Sequence, residues 1–108
     1  MNYLIGIDVG TSATKTVLFD EEGTVIASAS KEYGMILPQN GWAEQNPGDW
    51  KNAVLETLSE VRERSGVPAG AIKGIGLSGQ MHGLVMLDED NEVIRPSIIW
   101  CDQRTGRE

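Results

Sequence analysis

The sequence predicts an α/β fold in which an antiparallel meander of three strands precedes a helix and further strands. Three observations support this prediction. Apolar and polar residues alternate over residues 3–9, 14–20 and 24–32, and short polar turns separate these segments. Apolar residues then recur at helical spacing between residues 50 and 61. After that helix, residues 72–78 return to the alternation that is typical of a strand.

The turn between the first two strands has a composition that suits phosphate and a metal ion. Gly10 permits a positive φ and a close backbone approach, so the amides of Gly10, Thr11 and Ser12 can face a phosphate as a small anion-binding nest. Asp8 would then hold Mg²⁺ through water. The same residues also fit a tight hairpin whose Asp and Thr side chains bond their own turn.

The next segment is a loop that leads into the most clearly marked helix. Residues 34–46 mix Gly, Pro, Asn and Gln with apolar anchors, which predicts a loop packed on the body of the domain. Asn46 or Asp49 can cap the helix, and Gly66 with Pro68 ends it. Its apolar face comprises Trp50, Ala53, Val54, Thr57, Leu58 and Val61.

The strand at residues 72–78 contains Gly74 and Gly76, which are poor strand formers. They indicate either the close approach of a backbone or ligand, or a helix packed tightly on this strand. Two short strands, Leu84–Leu87 and Ile98–Trp100, are predicted to follow, with a polar turn after the first of them.

A second candidate site follows the glycine-containing strand. Gln80, Met81 and His82 stand between Gly79 and Gly83. The polar side chains offer hydrogen bonds to hydroxyl groups, and the methionine can cover an apolar C–H surface, so the motif suits a sugar better than an anion. Alternatively, His82 is a hydrogen-bonded loop residue and Met81 belongs to the core.

A third cluster lies near the end of the chain. Asp102 and Arg104 follow a short apolar strand and either bind hydroxyl groups or form a surface ion pair. Cys101 is the single cysteine and is predicted to be a packing residue. One cysteine and one histidine allow neither a disulfide within the chain nor a structural zinc site.

Composition predicts one folding unit in a cytoplasmic protein. The 108 residues carry nine Lys and Arg against sixteen Asp and Glu, for a net charge of −7, and the basic residues form no stripe. This distribution argues against nucleic acid and anionic membranes as partners. No signal peptide is evident, and no apolar run approaches the roughly 20 residues that span a bilayer.

Four motifs together resemble the N-terminal part of the FGGY carbohydrate kinases. They are GIDVGTSATK at residues 6–15, WAEQNP at 42–47, GLSGQMHGLVMLD at 76–88 and RPSIIWCDQRT at 95–105. The first is shared with the wider sugar kinase, actin and Hsp70 superfamily. The run from Gln80 to Gly83 is more specific, and it resembles the branch of the family that acts on D-xylulose. The resemblance covers essentially the whole chain.

The resemblance implies a ribonuclease-H-like, actin-like ATPase fold with two domains and a cleft between them. Asp8 would lie near Mg²⁺, and Gly10, Thr11, Ser12 and Lys15 near the ATP phosphates. On the sugar side, the implied contacts are Gln80, Met81, His82, Asp102 and Arg104. Many relatives have Asn where this chain has Cys101. For the WAEQNP stretch, only a packing role for Trp42 is expected.

The resemblance also implies a kinase several times longer than this chain, with the catalytic Asp base and the adenosine-binding segments beyond Glu108. We therefore expect the full protein to convert ATP and D-xylulose to ADP and D-xylulose 5-phosphate, and the 108-residue piece to be inactive. Uncovered apolar sheet faces of that piece predict self-association, for example as a homodimer.

Three alternatives remain open at this point. The first alternative is another FGGY kinase, acting on ribulose, gluconate or fuculose. The second is an actin-like or Hsp70-like nucleotide switch without a sugar site. The third alternative is a non-catalytic module that binds a sugar.

Overall fold

The structure is a computed structural model that describes residues 1–81 and 83–104. Its elements follow the predicted order of a three-stranded meander, a helix and further strands, except that the segment 34–46, predicted to be a loop, contains the two-residue strand Glu44–Gln45. The elements are β1 (Tyr3–Val9), β2 (Ala13–Asp20), β3 (Val25–Glu32), β4 (Glu44–Gln45), α1 (Pro47–Ser65), a short 3-10 helix (Ala69–Ala71), β5 (Ile72–Gly79) and β6 (Ser97–Ile98).

The main sheet has the strand order β3-β2-β1-β5. Strands β1, β2 and β3 pair antiparallel, which confirms the meander, whereas β5 pairs parallel to β1. In that parallel pair Asp8 is opposite Ser78 and Val9 is opposite Gly79. The carboxyl ends of β1 and β5 therefore lie side by side at one edge of the sheet.

The core lies between α1 and one face of the sheet. It is formed by the buried residues Ile5, Ile7, Leu18, Ala29, Val61 and Val67. Thr16 on β2 and Thr57 on α1 are also buried, and their hydroxyl oxygens are 2.7 Å apart. This hydrogen bond satisfies two polar groups that would otherwise be costly to bury.

Both ends of α1 are fixed by local contacts. Asn46 is the N-cap, with its side-chain oxygen accepting from the Gly48 amide at 2.9 Å, so the cap is not Asp49. At the other end Gly66 has φ 68°, and its amide donates to the Arg62 carbonyl. This left-handed conformation favours glycine and ends the helix as predicted.

The two short strands predicted near the end of the chain differ from the structure. Residues 84–87 do not form a strand, because Leu84 and Leu87 make only isolated bridges, to Ile98 and Val93 respectively. The last strand is Ser97–Ile98, not residues 98–100, and it pairs with β4. Apolar composition predicted strands in both segments. In the described structure, however, the first segment makes only single bridges and the second pairs over only two residues.

The sequence left two explanations for the glycines of β5, and a tightly packed helix was one of them. The structure does not place the helix against these glycines. A Cβ at Gly74 would lie 3.2 Å from Leu4 Cδ2 on β1, whereas a Cβ at Gly76 would meet nothing within 4 Å. Beside them Ile75 and Leu77 are 56% and 73% exposed. Self-association through this apolar face stays a prediction.

No helix among the described residues is both long and apolar enough to cross a membrane.

Candidate functional site

The turn between β1 and β2 is closed by a backbone hydrogen bond and braced by Tyr33, the residue after β3. The Gly10 amide donates to the Ala13 carbonyl at 2.9 Å, and a Cβ on Gly10 would come within 3.1 Å of that same oxygen. This amide is engaged within the turn and Gly10 does not have a positive φ, so the predicted nest of three amides facing a phosphate is wrong for Gly10. The Tyr33 hydroxyl donates to the Gly10 carbonyl. Burial raises the pKa of Tyr33, and the nearby Asp8 charge adds to this rise. The Tyr33 hydroxyl therefore stays protonated and available to donate.

Asp8 lies at the end of β1 with an exposed side chain. The Ser78 hydroxyl donates to its Oδ1 at 3.3 Å, which links the ends of the two parallel strands. Lys15 is opposite Asp8 in the β1–β2 register, so the two side chains project from the same face of the sheet. One anionic and one cationic side chain thus border the turn.

The side chain of Thr11 and its carbonyl group are both held by distant residues. Its hydroxyl accepts from the Trp100 indole N–H at 2.8 Å, and its carbonyl accepts from Gln45 Nε2 at 2.6 Å. Ser12 is exposed, and its carbonyl accepts from the Tyr33 amide. The turn is therefore positioned by three other parts of the chain.

A cleft of about 400 Å³ opens beside this turn. Because β1 and β5 are parallel, residues from both strand ends line it. The lining residues are Asp8, Gly10, Thr11, Gly79, Gln80, Met81 and Trp100. The cleft thus brings the predicted phosphate turn and part of the predicted sugar motif together. His82 lies outside the described residues.

Asp102 and Arg104 lie apart from the lining of this cleft, in a network of ion pairs. Arg104 Nη2 is 2.7 Å from Asp102 Oδ2, and the same nitrogen donates to Glu44. The side chains of Asp102 and Arg104 are only 3% and 14% exposed. The ion pair between these two residues therefore forms, but the expectation of a surface pair is wrong. Their contact with a sugar stays a prediction.

Three more residues contact this ion-pair network, through an ion pair, a cation–π contact and a backbone hydrogen bond. Arg95 donates to Glu44. The Arg104 guanidinium lies 3.8 Å from the centroid of the Trp42 ring, as in cation–π pairs. The Ala43 amide donates to Asp102 Oδ2 at 2.6 Å. The packing role expected for Trp42 is therefore confirmed, and the network joins the loop before α1 to the end of the chain.

The network shifts the titration of its carboxyl groups. Hydrogen bonds from the Arg104 guanidinium lower the pKa of Asp102 to about 2, and the Ala43 amide contributes to this shift. Hydrogen bonding to Arg104 likewise lowers the pKa of Glu44, with a further contribution from Arg95. Both carboxylates remain ionised at any pH near neutrality.

This shift predicts how acid destabilises the domain. Asp102 has a folded pKa of about 2 against an ordinary value of 3.8, so its contribution is complete above about pH 4 and is lost as the pH falls towards 2. Asp102→Asn should therefore flatten the fall in melting temperature between pH 4 and pH 2. Glu89 is exposed, so the control variant Glu89→Gln should show the same dependence of melting temperature on pH as the unmodified protein. An unchanged slope in Asp102→Asn would contradict the role of this ion pair.

Gln45 is a site residue that the sequence did not reveal. It is 1% exposed, and its amide contacts Thr11, Trp50 and Gln80. Two of these partners are 34 and 35 residues away along the chain. The WAEQNP motif that contains Gln45 was part of the family resemblance, but it gave this residue no role, because its partners Thr11 and Gln80 are distant in the sequence.

Comparison with known proteins identifies the family of this chain. The family described as the FGGY family of carbohydrate kinases, N-terminal domain, matches residues 3–108. A xylulose kinase of Bacillus subtilis (strain 168) is 51% identical over 105 residues, which are 97% of this chain and 21% of that relative. This chain thus spans about a fifth of the length of the curated relatives that it matches.

Two solved structures from Lactobacillus acidophilus share the fold. A ligand-bound xylulose kinase is 41% identical with a TM-score of 0.86, over 95% of this chain and 20% of that chain. A gluconate kinase is also 41% identical with a TM-score of 0.85, over 94% of this chain and 20% of that chain. The expected actin-like ATPase fold is confirmed. Because the family match takes in nearly every residue, the chain belongs to the FGGY family of carbohydrate kinases.

Proposed function

We propose that the protein carrying this chain is an ATP-dependent sugar kinase that converts D-xylulose to D-xylulose 5-phosphate. The observation that carries this proposal is the parallel pairing of β1 and β5. Because of this pairing, Asp8 of the phosphate turn and Gln80 of the sugar motif line the same cleft. Residues 1–108 would form the N-terminal part of the first of two domains. The similarity to a xylulose kinase and the motif from Gln80 to Gly83 support the choice of sugar.

The Asp8 side chain fits a magnesium ion held through water. Its carboxylate is exposed and accepts a single described hydrogen bond, from Ser78, which leaves acceptor capacity towards the cleft. Among the described residues, no group of three or more His, Cys, Asp or Glu side chains is gathered for a metal. Mg²⁺ commonly keeps several waters and takes one or two carboxylates together with substrate phosphates, so one carboxylate suffices.

Gly10, Thr11, Ser12 and Lys15 would border the phosphates. A Cβ at Gly10 would crowd the Ala13 carbonyl, so glycine keeps this turn tight. The Lys15 ammonium, on the same face as Asp8, would offset the negative charge of the phosphates. Bound ATP and Mg²⁺ would supply the γ-phosphoryl group and charge compensation. The role of the turn is then to hold the phosphates in one position, because positioning and electrostatics dominate this chemistry.

The opposite wall of the cleft would hold the sugar. Gln80 offers an amide to hydroxyl groups, while Met81 and Trp100 offer exposed apolar surface to the sugar C–H groups. His82 stays a predicted sugar contact, and so do Asp102 and Arg104, although the structure places these two apart from the lining of this cleft. The carboxylate that accepts the proton of the sugar hydroxyl is expected beyond residue 108, so the isolated chain should release no ADP in response to xylulose.

A substrate panel with the complete protein tests this proposal. We expect ADP release to depend on sugar, with kcat/KM for D-xylulose at least about tenfold above ribulose, gluconate and fuculose, since differences of about 1.4 kcal/mol in transition-state binding suffice. Gluconate is the critical comparison, because xylulose and gluconate kinase structures match this chain with equal identity.

Each alternative function gives a different result in the same panel. A preference for gluconate would replace xylulose as the substrate. ATP hydrolysis without any dependence on sugar would indicate a nucleotide switch. Sugar binding without ADP release would indicate a non-catalytic module, and any of these three results would overturn the proposal.

A further inference from the structure

We propose that Gln45 is a positioning residue that fixes the orientation of the Gln80 amide, so that the Gln80 carbonyl oxygen is the acceptor offered to the sugar. This inference rests on the proposed function as a sugar kinase. Gln45 is 1% exposed, lies beneath the cleft and is absent from its lining. Its effect on the sugar is therefore exerted through Gln80.

The orientation of the Gln45 amide follows from its two other partners. The Trp50 indole nitrogen can only donate, so the Gln45 atom 3.0 Å from it must be the carbonyl oxygen. The Thr11 carbonyl can only accept, so the Gln45 atom 2.6 Å from it must be the amide nitrogen. Because both partners require the same orientation, the amide of Gln45 cannot flip without losing two hydrogen bonds.

The orientation of Gln80 follows in turn. The Gln45 carbonyl oxygen, which is an acceptor only, is 2.8 Å from Gln80, so the Gln80 atom there must be Nε2. The same nitrogen is 3.5 Å from the Gly10 carbonyl, which also only accepts. Trp50 and Gln80 thus both donate to the Gln45 carbonyl oxygen, and this arrangement fixes the orientation of both amides. Gln80 Oε1 is on the side of its amide that does not face Gln45.

Gln80 Oε1 is left without a donor. This oxygen is buried and has no hydrogen-bond partner among the described residues, although the Gln80 side chain lines the cleft. A buried acceptor without a donor is costly, and a group that supplies one regains that free energy. A sugar hydroxyl is a donor of the required kind, and it reaches this buried oxygen when the cleft lining beside Gly79 and Gln80 moves aside.

The same residue links the sugar wall to the phosphate turn. Gln45 holds the Thr11 carbonyl with its nitrogen and Gln80 with its oxygen. One planar amide therefore bridges the two walls of the cleft, in addition to the backbone bond from the Gln80 amide to the Val9 carbonyl. In a phosphoryl transfer, the separation between these walls helps determine whether the sugar hydroxyl is in line with the phosphate.

The test is steady-state kinetics of Gln45→Met in the complete protein. Methionine keeps the side-chain length but offers Gln80 no comparable acceptor, so the Gln80 amide becomes free to rotate. Losing one such hydrogen bond should raise KM for D-xylulose about three- to tenfold. KM for ATP should rise by a clearly smaller factor, because the variant also loses the bond to the Thr11 carbonyl. Trp50→Phe removes one of the two contacts that orient Gln45 and should shift KM for D-xylulose in the same direction by a smaller factor.

A double-mutant cycle separates positioning from a general loss of packing. Gln80→Leu should itself raise KM for D-xylulose, and adding Gln45→Met to it should produce no further rise, because Gln45 acts through Gln80. Thr57→Val is the matched control. It removes a buried hydrogen bond on α1 that faces β2, so it should lower the melting temperature without changing KM for D-xylulose.

The possible results are distinct. Additive effects of Gln45→Met and Gln80→Leu, equal rises in KM for sugar and ATP, or unchanged sugar KM would overturn this inference alone, provided the unmodified protein phosphorylates a sugar. If Gln45→Met does not fold, Trp50→Phe decides by the same criteria. If the unmodified protein phosphorylates no sugar, the proposed function fails and this inference fails with it.

Discussion

Replacing Asp8 with asparagine is expected to lower kcat of the complete protein about 100-fold or more, with little change in KM for D-xylulose. Asparagine has the same shape and can still accept from Ser78, so the turn should keep its conformation. The variant removes only the negative charge through which Asp8 would hold Mg²⁺ near the transferring phosphate. Losing one preorganised electrostatic contact of this kind costs about 10² to 10³ in rate.

Steady-state ADP release measures this effect, and Asp90→Asn provides the control. Asp90 lies in the exposed turn after residue 87, away from the cleft lining, so removing its charge should leave kcat within about twofold. A normal kcat in Asp8→Asn would remove Asp8 from the proposed phosphate site. A large rise in KM for D-xylulose with unchanged kcat would instead assign Asp8 to sugar binding.

Replacing Leu18 with alanine is expected to lower the free energy of unfolding of this domain by about 2–5 kcal/mol. Leu18 is 0% exposed and belongs to the core between α1 and the sheet. The loss combines the transfer free energy of the deleted atoms with the cavity that remains where the sheet and helix cannot close on each other. This is the largest stability effect that we expect from a single substitution in the chain.

Urea unfolding followed by tryptophan fluorescence measures this loss. Leu55→Ala is the matched control, because Leu55 is on α1 but is 52% exposed, and its loss should stay within about 0.5 kcal/mol. Equal destabilisation by the two variants would contradict the assignment of the core to the face of the sheet that α1 covers.

The main sheet and helix were predictable because their signals are local. Alternation in residues 3–9 and helical spacing in residues 50–61 each reflect which side of one element is buried. The ends of α1 follow from Asn46 and Gly66, whose conformational preferences act within a few residues. The parallel partner of β1 was identified as a strand, although its two glycines weaken that signal.

The remaining features depend on partners that are distant in the sequence. The segment 84–87 has the composition of a strand but makes only isolated bridges in the described structure, and pairing is a property of the neighbour as much as of the segment. Glu44 is buried because Arg95 and Arg104 reach it from more than 50 positions away. Gln45 similarly gains its proposed role only once Gln80 and Thr11 are brought to it.

The most direct test of the proposed reaction cleft is a crystal structure of the complete protein with ADP, Mg²⁺ and D-xylulose. We predict the terminal phosphate beside residues 10–12 and a sugar hydroxyl within hydrogen-bond distance of Gln80 Oε1, both in the cleft that Asp8 and Trp100 line. Sugar bound instead in the separate cavity between Trp42 and Gln103, with none beside Gln80, would contradict the proposed cleft.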